Sequence, residues 1–515
     1  MADHQVVVVG AGIGGLVSAL ELAVAGMAVT VVEAATAPGG KIRQLSVDGQ
    51  PVDSGPTVFT MRWVFDEIFA NAHTTLEAEI AIKPLSVLAR HFWEDGASLD
   101  LFADPGLSYD AVGTFAGAAE AKRFREFCAT AREVYQALEG PFIRSTAPSL
   151  LRMPAQLGAR GLGALARLGP MRNLWDSLGR HFHDPRMRQL FARYATYTGS
   201  SPWEAPATLL LIAQVEMDGV WSIDGGMHAL PLALARLAAA RGVTFRYGQA
   251  CERIEVQHGK VSGVTLAGGE RLAADSVVFN GDVAALRTGL LGDTAKAAAP
   301  AKAPTRSLSA LTWSMHLPTA GRTLSRHNVF FRHDYASEFR DIFGQHILPL
   351  APTVYVCAQD RGAGSAPAPG QAERLLCLVN APATGDDDSI TPEAIEQCQF
   401  TTFSLLRQCG LTISPDSFRA QTVTRTTPRD FHRLYPATGG ALYGQATHGW
   451  MSAFARPEAS TPIKGLFLAG GSVHPGPGVP MAALSGRQAA VALMASRAST
   501  RRFHPGATSG GMSMP

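Results

Sequence analysis

Near its start the chain reads Val6-Val7-Val8-Val9-Gly10-Ala11-Gly12-Ile13-Gly14-Gly15. Four consecutive β-branched residues predict a parallel strand that is buried on both faces. Apolar residues then recur at helical spacing from Leu16 to Ala23, and Gly26 suits the position just after a helix end. A second β-branched run follows at residues 29–32. A strand, a helix and a strand within about 30 residues predict one βαβ unit.

The glycines of this stretch form a G-x-G-x-x-G pattern at the start of the predicted helix. Gly10 permits a tight turn, Gly12 lets the backbone approach a pyrophosphate, and Gly15 lets the helix pack closely on the strand. The phosphates then face the unpaired N–H groups of the helix N-terminus. Glu33 ends the second strand, 18 residues after Gly15, where a carboxylate can bind ribose hydroxyls. The pattern predicts a dinucleotide site, which could take NAD or FAD.

Bulk composition narrows the class of protein. A chain of 515 residues is too long for one hydrophobic core, so two or three structural units are expected. Hydrophobic residues make up 46% and charged residues 17%, which is typical of a globular chain. A formal net charge of +2 gives no reason to expect nucleic acid as a partner. Residues 6–32 are apolar but contain five glycines, so we predict a buried unit and not a membrane span.

The six cysteines have no C-x-x-C spacing, so neither a metal site nor a disulfide framework is expected. Free thiols are typical of a reducing, cytoplasmic location.

Along the rest of the chain, the pattern changes from helical to mixed. Residues 104–200 predict helices broken by Gly and Pro, and residues 230–240 predict another helix. Strands are predicted at residues 243–247, 254–256, 261–266 and 276–279. After a linker at 294–306, strands alternate with helices up to about residue 421, with an exposed loop at 363–370. A last helix is predicted at 481–495, followed by a flexible tail at 500–515.

Two further segments resemble the flavin amine oxidase-like superfamily. Pro38-Gly39-Gly40-Lys41 is similar to its second conserved segment, and Val52-Asp53-Ser54-Gly55-Pro56-Thr57 to its third. In that superfamily the paired glycines and the basic residue lie along the FAD phosphates, and the Asp-x-Gly segment borders the flavin. The resemblance therefore implies FAD. No cysteine follows Cys409, which excludes a cysteinyl bond to the flavin near the C-terminus, so FAD is expected to bind non-covalently.

The C-terminal part resembles one branch of that superfamily. Gly470-Gly-Ser-Val-His-Pro-Gly-Pro-Gly-Val-Pro480-Met481 looks most like the bacterial 1-hydroxycarotenoid 3,4-desaturases, also called methoxyneurosporene dehydrogenases, with phytoene desaturases as sisters. Two other segments are similar to carotenoid desaturase segments, namely Trp221-Ser-Ile-Asp-Gly-Gly-Met-His228 and Asn280-Gly281-Asp282. Cys251 begins the strand that corresponds to the one contacting adenine in that family. Many superfamily oxidases have an acid where this chain has Gly471, but carotenoid desaturases do not.

The resemblance implies a set of FAD contacts spread over these segments. They are Gly10, Gly12, Ile13, Gly14, Gly15, Glu33, Ala34, Gly39, Gly40, Lys41, Gly55, Pro56, Thr57, Cys251, Asn280, Gly470, Gly471, Val479, Pro480 and Met481.

The predicted fold class is α/β, with a discontinuous Rossmann-type FAD-binding domain, a mixed-sheet substrate domain and a helical, membrane-facing subdomain. The FAD-binding domain is expected at residues 1–75, 222–295 and 440–499. The substrate domain is expected at 76–103, 204–221 and 296–439, and the helical subdomain at 104–203.

The helical stretch is also unusually basic. Between Arg144 and Arg193 there are nine Arg and two acidic residues, with leucines interleaved. Such a stretch could lie on an anionic lipid bilayer, in which carotenoids dissolve, and this predicts a peripheral membrane protein. The alternative is a solvated basic face on an ordinary core helix.

The resemblance implies a double bond formed between C3 and C4 of an acyclic 1-hydroxy or 1-methoxy carotenoid, with the flavin taking the hydride and oxygen or a quinone as electron acceptor. Glu216, Asp218, Asp224 and His474 are candidate proton acceptors, but each has a simpler structural interpretation, so no catalytic residue is identified. Two alternatives stay open. One is another flavin oxidase, acting on amines or protoporphyrinogen. The other is a non-enzymatic prenyl-lipid escort protein, which would need no complete cofactor motifs.

Overall fold

The computed structural model describes residues 4–149, 151, 153–169, 171–362, 366–368, 370–414 and 417–502. The strands are β1 (Gln5–Val9), β2 (Ala28–Val32), β3 (Gln44–Val47), β4 (Gln50–Asp53), β5 (Ile82–Pro84), β6 (Val87–Trp93), β7 (Ser98–Phe102), β8 (Trp221–Ile223), β9 (Thr244–Arg246), β10 (Cys251–Gln257), β11 (Lys260–Leu266), β12 (Arg271–Ala273), β13 (Ser276–Phe279), β14 (Ser309–Pro318), β15 (Ala320–Gly321), β16 (His327–Phe331), β17 (Val354–Ala358), β18 (Ala372–Ala381), β19 (Leu411–Thr412), β20 (Val423–Thr426) and β21 (Leu466–Leu468).

The helices are α1 (Ile13–Val24), α2 (Arg62–Asn71), α3 (Leu76–Glu79), α4 (Pro105–Ala116), α5 (Ala118–Leu138), α6 (Met153–Leu168), α7 (Leu174–His181), α8 (Pro185–Ala192), α9 (Leu211–Met217), α10 (Ala229–Ala240), α11 (Val283–Arg287), α12 (Tyr335–Phe339), α13 (Pro392–Gln408), α14 (Pro428–Leu434) and α15 (Val479–Arg502). Short 3₁₀ or π turns occupy Glu139–Ile143, Arg193–Thr198, Ala207–Leu210, Asp293–Ala298, Arg340–Gln345 and Ser452–Ala455.

The predicted βαβ unit is confirmed and forms the centre of a five-stranded parallel sheet. The sheet has the order β21-β13-β1-β2-β9, so strands from three distant parts of the chain lie side by side. Val8 is opposite Val31 on β2 and Val278 on β13. All three side chains are fully buried, as expected of β-branched strands covered on both faces. The strands predicted at 276–279 and 243–247 are found at Ser276–Phe279 and Thr244–Arg246, and both belong to the sheet that positions the glycine turn.

A second, mixed sheet lies beside the first and carries side chains that face the cofactor segments. Its seven strands have the order β20-β14-β18-β17-β16-β6-β7, with β16 parallel to β6 and the other neighbours antiparallel. Trp313, Phe330 and Cys377 are among its buried residues, and α13 packs on this core through Leu405.

Residues 105–217 are mainly helical where the structure describes them, which agrees with the helices predicted over 104–200, and they pack around a cluster of aromatic rings. Phe127 lies 4.5 Å from Phe191 and 5.0 Å from Phe182 between ring centroids. Gly158 has a φ of 61° inside α6 and divides that helix at a kink. Within the described residues, no helix combines the length and apolarity needed to cross a bilayer.

The last helix is longer than predicted. α15 begins at Val479 and continues to Arg502, past the predicted end at residue 495, because neither Gly nor Pro interrupts the chain between Gly486 and Pro505. Residues 500–502 of the predicted tail are therefore helical, and residues 503–515 lie outside the described residues. Part of the predicted loop at 363–370, namely 363–365 and 369, also lies outside them.

Candidate functional site

The glycine turn and the second glycine segment meet at the N-terminus of α1. Gly12 is the N-cap of α1, and no described side chain caps this helix end. Gly39 donates its N–H to the carbonyl of Ala11 at 2.9 Å. A Cβ on Gly40 would lie 3.2 Å from the Cα of Gly12. The two predicted phosphate segments therefore form one surface of bare backbone around uncapped N–H groups.

Asn280 lies directly beneath this turn. Its Nδ2 donates to the carbonyl of Gly10 at 3.2 Å. A Cβ on Gly12 would lie 2.9 Å from that Nδ2, and one on Gly14 only 2.6 Å from Oδ1. A Cβ on Gly15 would lie 2.0 Å from the carbonyl oxygen of Gly10. The glycines are thus required by the packing of the turn itself, and Asn280 supports the turn from below.

Glu33 lies at the end of β2, beside the turn. Its Oε2 accepts from the N–H of Ala11 at 2.6 Å, and its Oε1 from the N–H of Ala35 at 2.8 Å. Each carboxylate oxygen keeps a second acceptor site. Gln249 donates its N–H to the carbonyl of Glu33 at 2.8 Å, which brings the segment before Cys251 alongside, although Cys251 itself lies outside the glycine turn in the β10–β11–β12 sheet. Ala34 is exposed at the same edge.

Lys41 and residues 55–57 connect the glycine segments to the mixed sheet. Lys41 Nζ donates to the carbonyl of Leu442 at 2.6 Å, and burial lowers the pKa of this amine. A Cβ on Gly55 would lie 2.0 Å from the carbonyl oxygen of Lys41, so the two segments touch. Thr57 Oγ1 lies 2.7 Å from the phenol oxygen of Tyr355, while Pro56 is exposed.

Asp53 joins two motif segments. Its Oδ2 accepts from the N–H of Met227 at 2.6 Å. A Cβ on Gly226 would clash with the same carboxylate at 2.2 Å. Burial raises the pKa of Asp53, and the Met227 N–H opposes that rise. The role of this acid is to hold the Asp53 segment against the Gly226-Met227 segment.

The C-terminal motif, residues 470–481, contacts the glycine turn of α1. A Cβ on Gly14 would lie 2.8 Å from the N of Gly470, so the two glycine turns are in contact. Val479, Pro480 and Met481 form the first turn of α15, and a Cβ on Gly486 would lie 2.3 Å from the carbonyl oxygen of Gly14. The start of α1 therefore packs against α15 and the Gly470 turn, and the free N–H groups at the N-terminus of α1 favour an anion.

Arg456 is a residue of this site that the motifs did not predict. It is 5% exposed and donates to the carbonyls of Gln445 at 2.8 Å, Tyr443 at 3.2 Å and Gly471 at 3.3 Å. Burial lowers the pKa of its guanidinium to about 10, which leaves it charged at neutral pH. It ties the 443–447 loop to the C-terminal glycine turn, a role that depends on contacts far apart in sequence.

Three features fit a dinucleotide with a pyrophosphate and a ribose: the uncapped N-terminus of α1, the Glu33 carboxylate after β2 and the buried amine of Lys41. Residues 13–494 match the family of flavin containing amine oxidoreductases. The chain belongs to this family. FAD is its cofactor, and the predicted family and cofactor are confirmed.

Relatives and a solved structure agree with this assignment. The chain is 59% identical to hydroxyneurosporene desaturase of Rubrivivax gelatinosus, over 100% of this chain and 97% of the relative. It is 30% identical to 1-hydroxycarotenoid 3,4-desaturase of a Flavobacterium species, over 94% of this chain and 97% of that relative. Wild-type putrescine oxidase bound to putrescine has a similar fold, with a TM-score of 0.60 and 14% identity over 96% of this chain and 99% of that one.

The four candidate proton acceptors lie in different surroundings. Asp224 is at the surface, 3.1 Å from Lys83. Asp218 accepts from Gln214 at 2.6 Å. His474 Nε2 lies 3.0 Å from the carbonyls of both Phe142 and Ser145, and burial lowers its pKa to about 4.

Glu216, the fourth candidate, is buried among tyrosines. Its carboxylate accepts from the phenols of Tyr194 at 2.6 Å and Tyr197 at 2.7 Å. Burial raises its pKa, and the two phenol hydrogen bonds oppose the rise. Tyr194 and Glu216 also line a largely apolar cavity of about 200 Å³ with Phe124, Phe191 and Leu101.

Arg193 was counted in the basic stretch, but the structure places it inside the molecule. Its Nη1 donates to the phenol of Tyr197 at 3.1 Å. Its Cζ lies 5.2 Å from the ring centroid of Tyr197 and 5.3 Å from that of Tyr355. We call Arg193, Tyr194, Tyr197, Glu216 and Tyr355 the arginine–tyrosine cluster. No local sequence signal distinguishes Arg193 from the surface arginines around it.

Proposed function

We propose that this protein is an FAD-dependent carotenoid desaturase that forms a double bond between C3 and C4 of an acyclic 1-hydroxy or 1-methoxy carotenoid during carotenoid biosynthesis. The observation that carries the proposal is the 59% identity, over the whole chain, to a hydroxyneurosporene desaturase. The relative named 1-hydroxycarotenoid 3,4-desaturase supports the position of the new double bond.

The proposed FAD-binding domain is of the Rossmann type and comprises residues 1–75, 222–295 and 440–499. Its support is the parallel sheet in which β1, β2, β9, β13 and β21 are neighbours. The substrate domain comprises 76–103, 204–221 and 296–439 around the mixed sheet, and the helical subdomain comprises 104–203. The six cysteines are free thiols, which favours a reducing cytoplasm.

In this proposal the glycine turn leaves room for the pyrophosphate, the N-terminus of α1 stabilises its charge, and Glu33 binds the ribose hydroxyls. FAD, when bound, supplies the hydride acceptor. The protein then has to orient a long apolar substrate and exclude water. Oxygen or a quinone is the proposed final electron acceptor. FAD is held without a covalent bond, since the sequence has no cysteine after Cys409.

The experiment that tests the function compares pigments in cells that make a 1-hydroxycarotenoid, with and without this chain. A new double bond lengthens the conjugated system, so the expected result is a shift of the main absorption bands to longer wavelength. An inactive control chain carries Gly15→Val, which removes the glycine turn. Identical pigments in cells with and without the active chain would contradict the proposal. Turnover of an amine or of protoporphyrinogen by the purified protein would identify another flavin oxidase instead.

We also propose that the helical subdomain rests on an anionic bilayer surface. Leu151 and Met171 flank α6 and are 93% and 80% exposed. Arg160 and Arg172 are exposed in the same region, whereas Arg167 is paired with Glu133. Exposed apolar side chains beside free cationic ones favour an interface with anionic lipid.

The membrane proposal is tested by co-sedimentation with vesicles of phosphatidylcholine and phosphatidylserine. Replacing Arg160 and Arg172 with Gln should weaken binding by about 1 kcal/mol for each charge at low salt. Arg253→Gln is the control, because Arg253 is an exposed arginine on β10, outside the helical subdomain. Equal sedimentation of all three chains would favour the solvated basic face.

A further inference from the structure

Burial and residual exposure together place Arg193 and its aromatic neighbours beside an internal cavity. Arg193, Tyr197 and Tyr355 lie deep inside the fold, and each still keeps partly exposed side-chain surface. Side chains that are enclosed by protein and yet accessible face an internal space. The two ring distances from Arg193, 5.2 Å and 5.3 Å, place all three at the same space.

The rest of the arginine–tyrosine cluster keeps Arg193 charged and oriented. Tyr197 accepts from Arg193 Nη1 at 3.1 Å and donates to Glu216 Oε1 at 2.7 Å, so one phenol connects the cation to the carboxylate. Burial lowers the pKa of Arg193, but the hydrogen bond to Tyr197 and the negative charge of Glu216 outweigh burial and raise it above its usual value. The cluster is therefore a neutral pair bridged by a hydroxyl, which is a favourable arrangement for an enclosed charge.

Most hydrogen-bond donors of Arg193 are directed to the cavity. A guanidinium has five N–H donors and no acceptor. Among the described residues, the Tyr197 oxygen is the one side-chain acceptor that the guanidinium reaches. The remaining N–H groups can therefore bind an oxygen atom of a ligand, and an apolar ligand would leave them unpaired.

The cavity also lies near the segment predicted to border the flavin, where the oxygenated end of the proposed substrate must bind. C1, the carbon that carries this oxygen, is two bonds from C3, so the group that binds the oxygen must lie close to the carbons that react. Thr57 belongs to the segment predicted to border the flavin, and its hydroxyl lies 2.7 Å from the phenol of Tyr355. Tyr355 in turn is one of the two rings that contact Arg193. Arg193 thus lies one side chain away from the flavin-bordering segment.

We propose that Arg193 donates hydrogen bonds to the oxygen on C1 of the carotenoid and so determines the preference for oxygenated over unoxygenated substrates. This inference rests on the proposed function. Tyr197 and Glu216 are positioning residues that orient the guanidinium. Because arginine only donates, it accommodates a hydroxyl and a methoxy oxygen alike.

The test measures kcat/KM with 1-hydroxyneurosporene, 1-methoxyneurosporene and neurosporene in liposomes, using the FAD-loaded protein. Arg193→Met should lower kcat/KM for both oxygenated substrates by about 10- to 100-fold relative to neurosporene, with the FAD content unchanged. Arg193→Lys, which keeps one donor group, should recover part of the preference. Arg180→Met is the matched control, because Arg180 is an exposed arginine on α7.

A chain with Arg193→Met alone leaves the carboxylate of Glu216 without its cation, so the variant with Arg193→Met and Glu216→Gln is made as well. An equal loss with all three substrates in both variants would assign Arg193 a structural role and overturn the inference. A wild-type chain that converts the hydroxylated substrate and rejects the methoxy one by more than about 100-fold would also overturn it, since that requires an acceptor. If the wild-type chain converts none of the three, the proposed function itself fails.

Discussion

Two regions of the molecule differ in the kind of contact that builds them. One is the cofactor side, formed by the glycine turn at residues 10–15, Glu33 and Asn280, and the other is the arginine–tyrosine cluster. Around Gly12 the contacts are made by backbone, and a Cβ on Gly15 would lie only 2.0 Å from the carbonyl of Gly10. Around Arg193 the contacts are between long side chains, such as Tyr197 and Glu216. The comparison teaches that a dinucleotide is held by main-chain geometry, which tolerates no side chain, whereas selection among substrates rests on side chains that can be exchanged.

The largest expected effect is on the cofactor side. Gly15→Ala would force its Cβ into the backbone carbonyl of Gly10 at 2.0 Å, and the Asn280 side chain at 3.0 Å leaves little room to adjust. We expect loss of nearly all bound FAD, measured as the flavin absorbance per chain after purification. Gly140→Ala is the control, because a Cβ there meets no atom within 4 Å. A folded Gly15→Ala chain with wild-type FAD content would show that the glycine turn tolerates a side chain after all.

His474 connects the C-terminal glycine segment to the helical region through the carbonyls of Phe142 and Ser145. Its replacement should change how the free energy of unfolding depends on pH. Its pKa is lowered from 6.5 to about 4 by burial. The folded chain therefore holds it neutral while the unfolded chain binds a proton below about pH 6.5. The stability it supports is full above pH 6.5 and falls as the pH decreases towards 4, by a total on the order of 3 kcal/mol.

His474→Gln keeps a donor for the carbonyls of Phe142 and Ser145 but does not titrate. We expect its free energy of unfolding in urea to fall less between pH 6.5 and pH 4 than that of the wild type. Other buried histidines, such as His327, are present in both chains and cancel in this difference. His333→Gln, at an exposed histidine, should keep the wild-type slope. The same slope in the His474→Gln and wild-type chains would contradict the argument.

Glu33→Gln is expected to have the next largest effect and to act on the cofactor side alone. The amide keeps the shape but loses the charge that accepts two backbone N–H groups at 2.6 and 2.8 Å. FAD affinity should fall by about 2 kcal/mol, or roughly 30-fold, in a titration of the apoprotein. Glu252→Gln, at an exposed glutamate of β10, is the control. Equal affinities in the two variants would assign no role to the Glu33 carboxylate.

The smallest expected effect is that of Tyr355→Phe on the substrate side. Loss of the phenol leaves Thr57 and His327 without the partner that each has at 2.7 Å. The free energy of unfolding should fall by about 1 kcal/mol, with FAD content unchanged. Tyr109→Phe, whose ring packs on Arg125, is the comparison variant. Loss of FAD in Tyr355→Phe would mean that the arginine–tyrosine cluster also contributes to FAD binding.

The βαβ unit and its glycine turn could be predicted from the sequence for a physical reason. A strand buried on both faces, a turn that excludes side chains and a helix start each require particular residue types within a few positions. Gly10 to Gly15 and Glu33 could therefore be assigned before their positions in space were known. Asn280 was predicted as a cofactor contact from the resemblance, but its support of Gly10 at 3.2 Å comes from a strand 270 residues away and was visible only in the fold.

The βαβ unit, the glycine turn and the family could all be predicted from residue types at a few neighbouring positions, because a buried strand and a tight turn each accept few residue types. Tertiary structure alone decided which arginine of the basic stretch is enclosed and which are exposed. Arg193 meets Tyr355 across 162 positions of the chain only because α8 packs against the mixed sheet. Sequence spacing carries no information on such a contact, since the packing of distant elements determines whether an arginine faces water or an internal cavity.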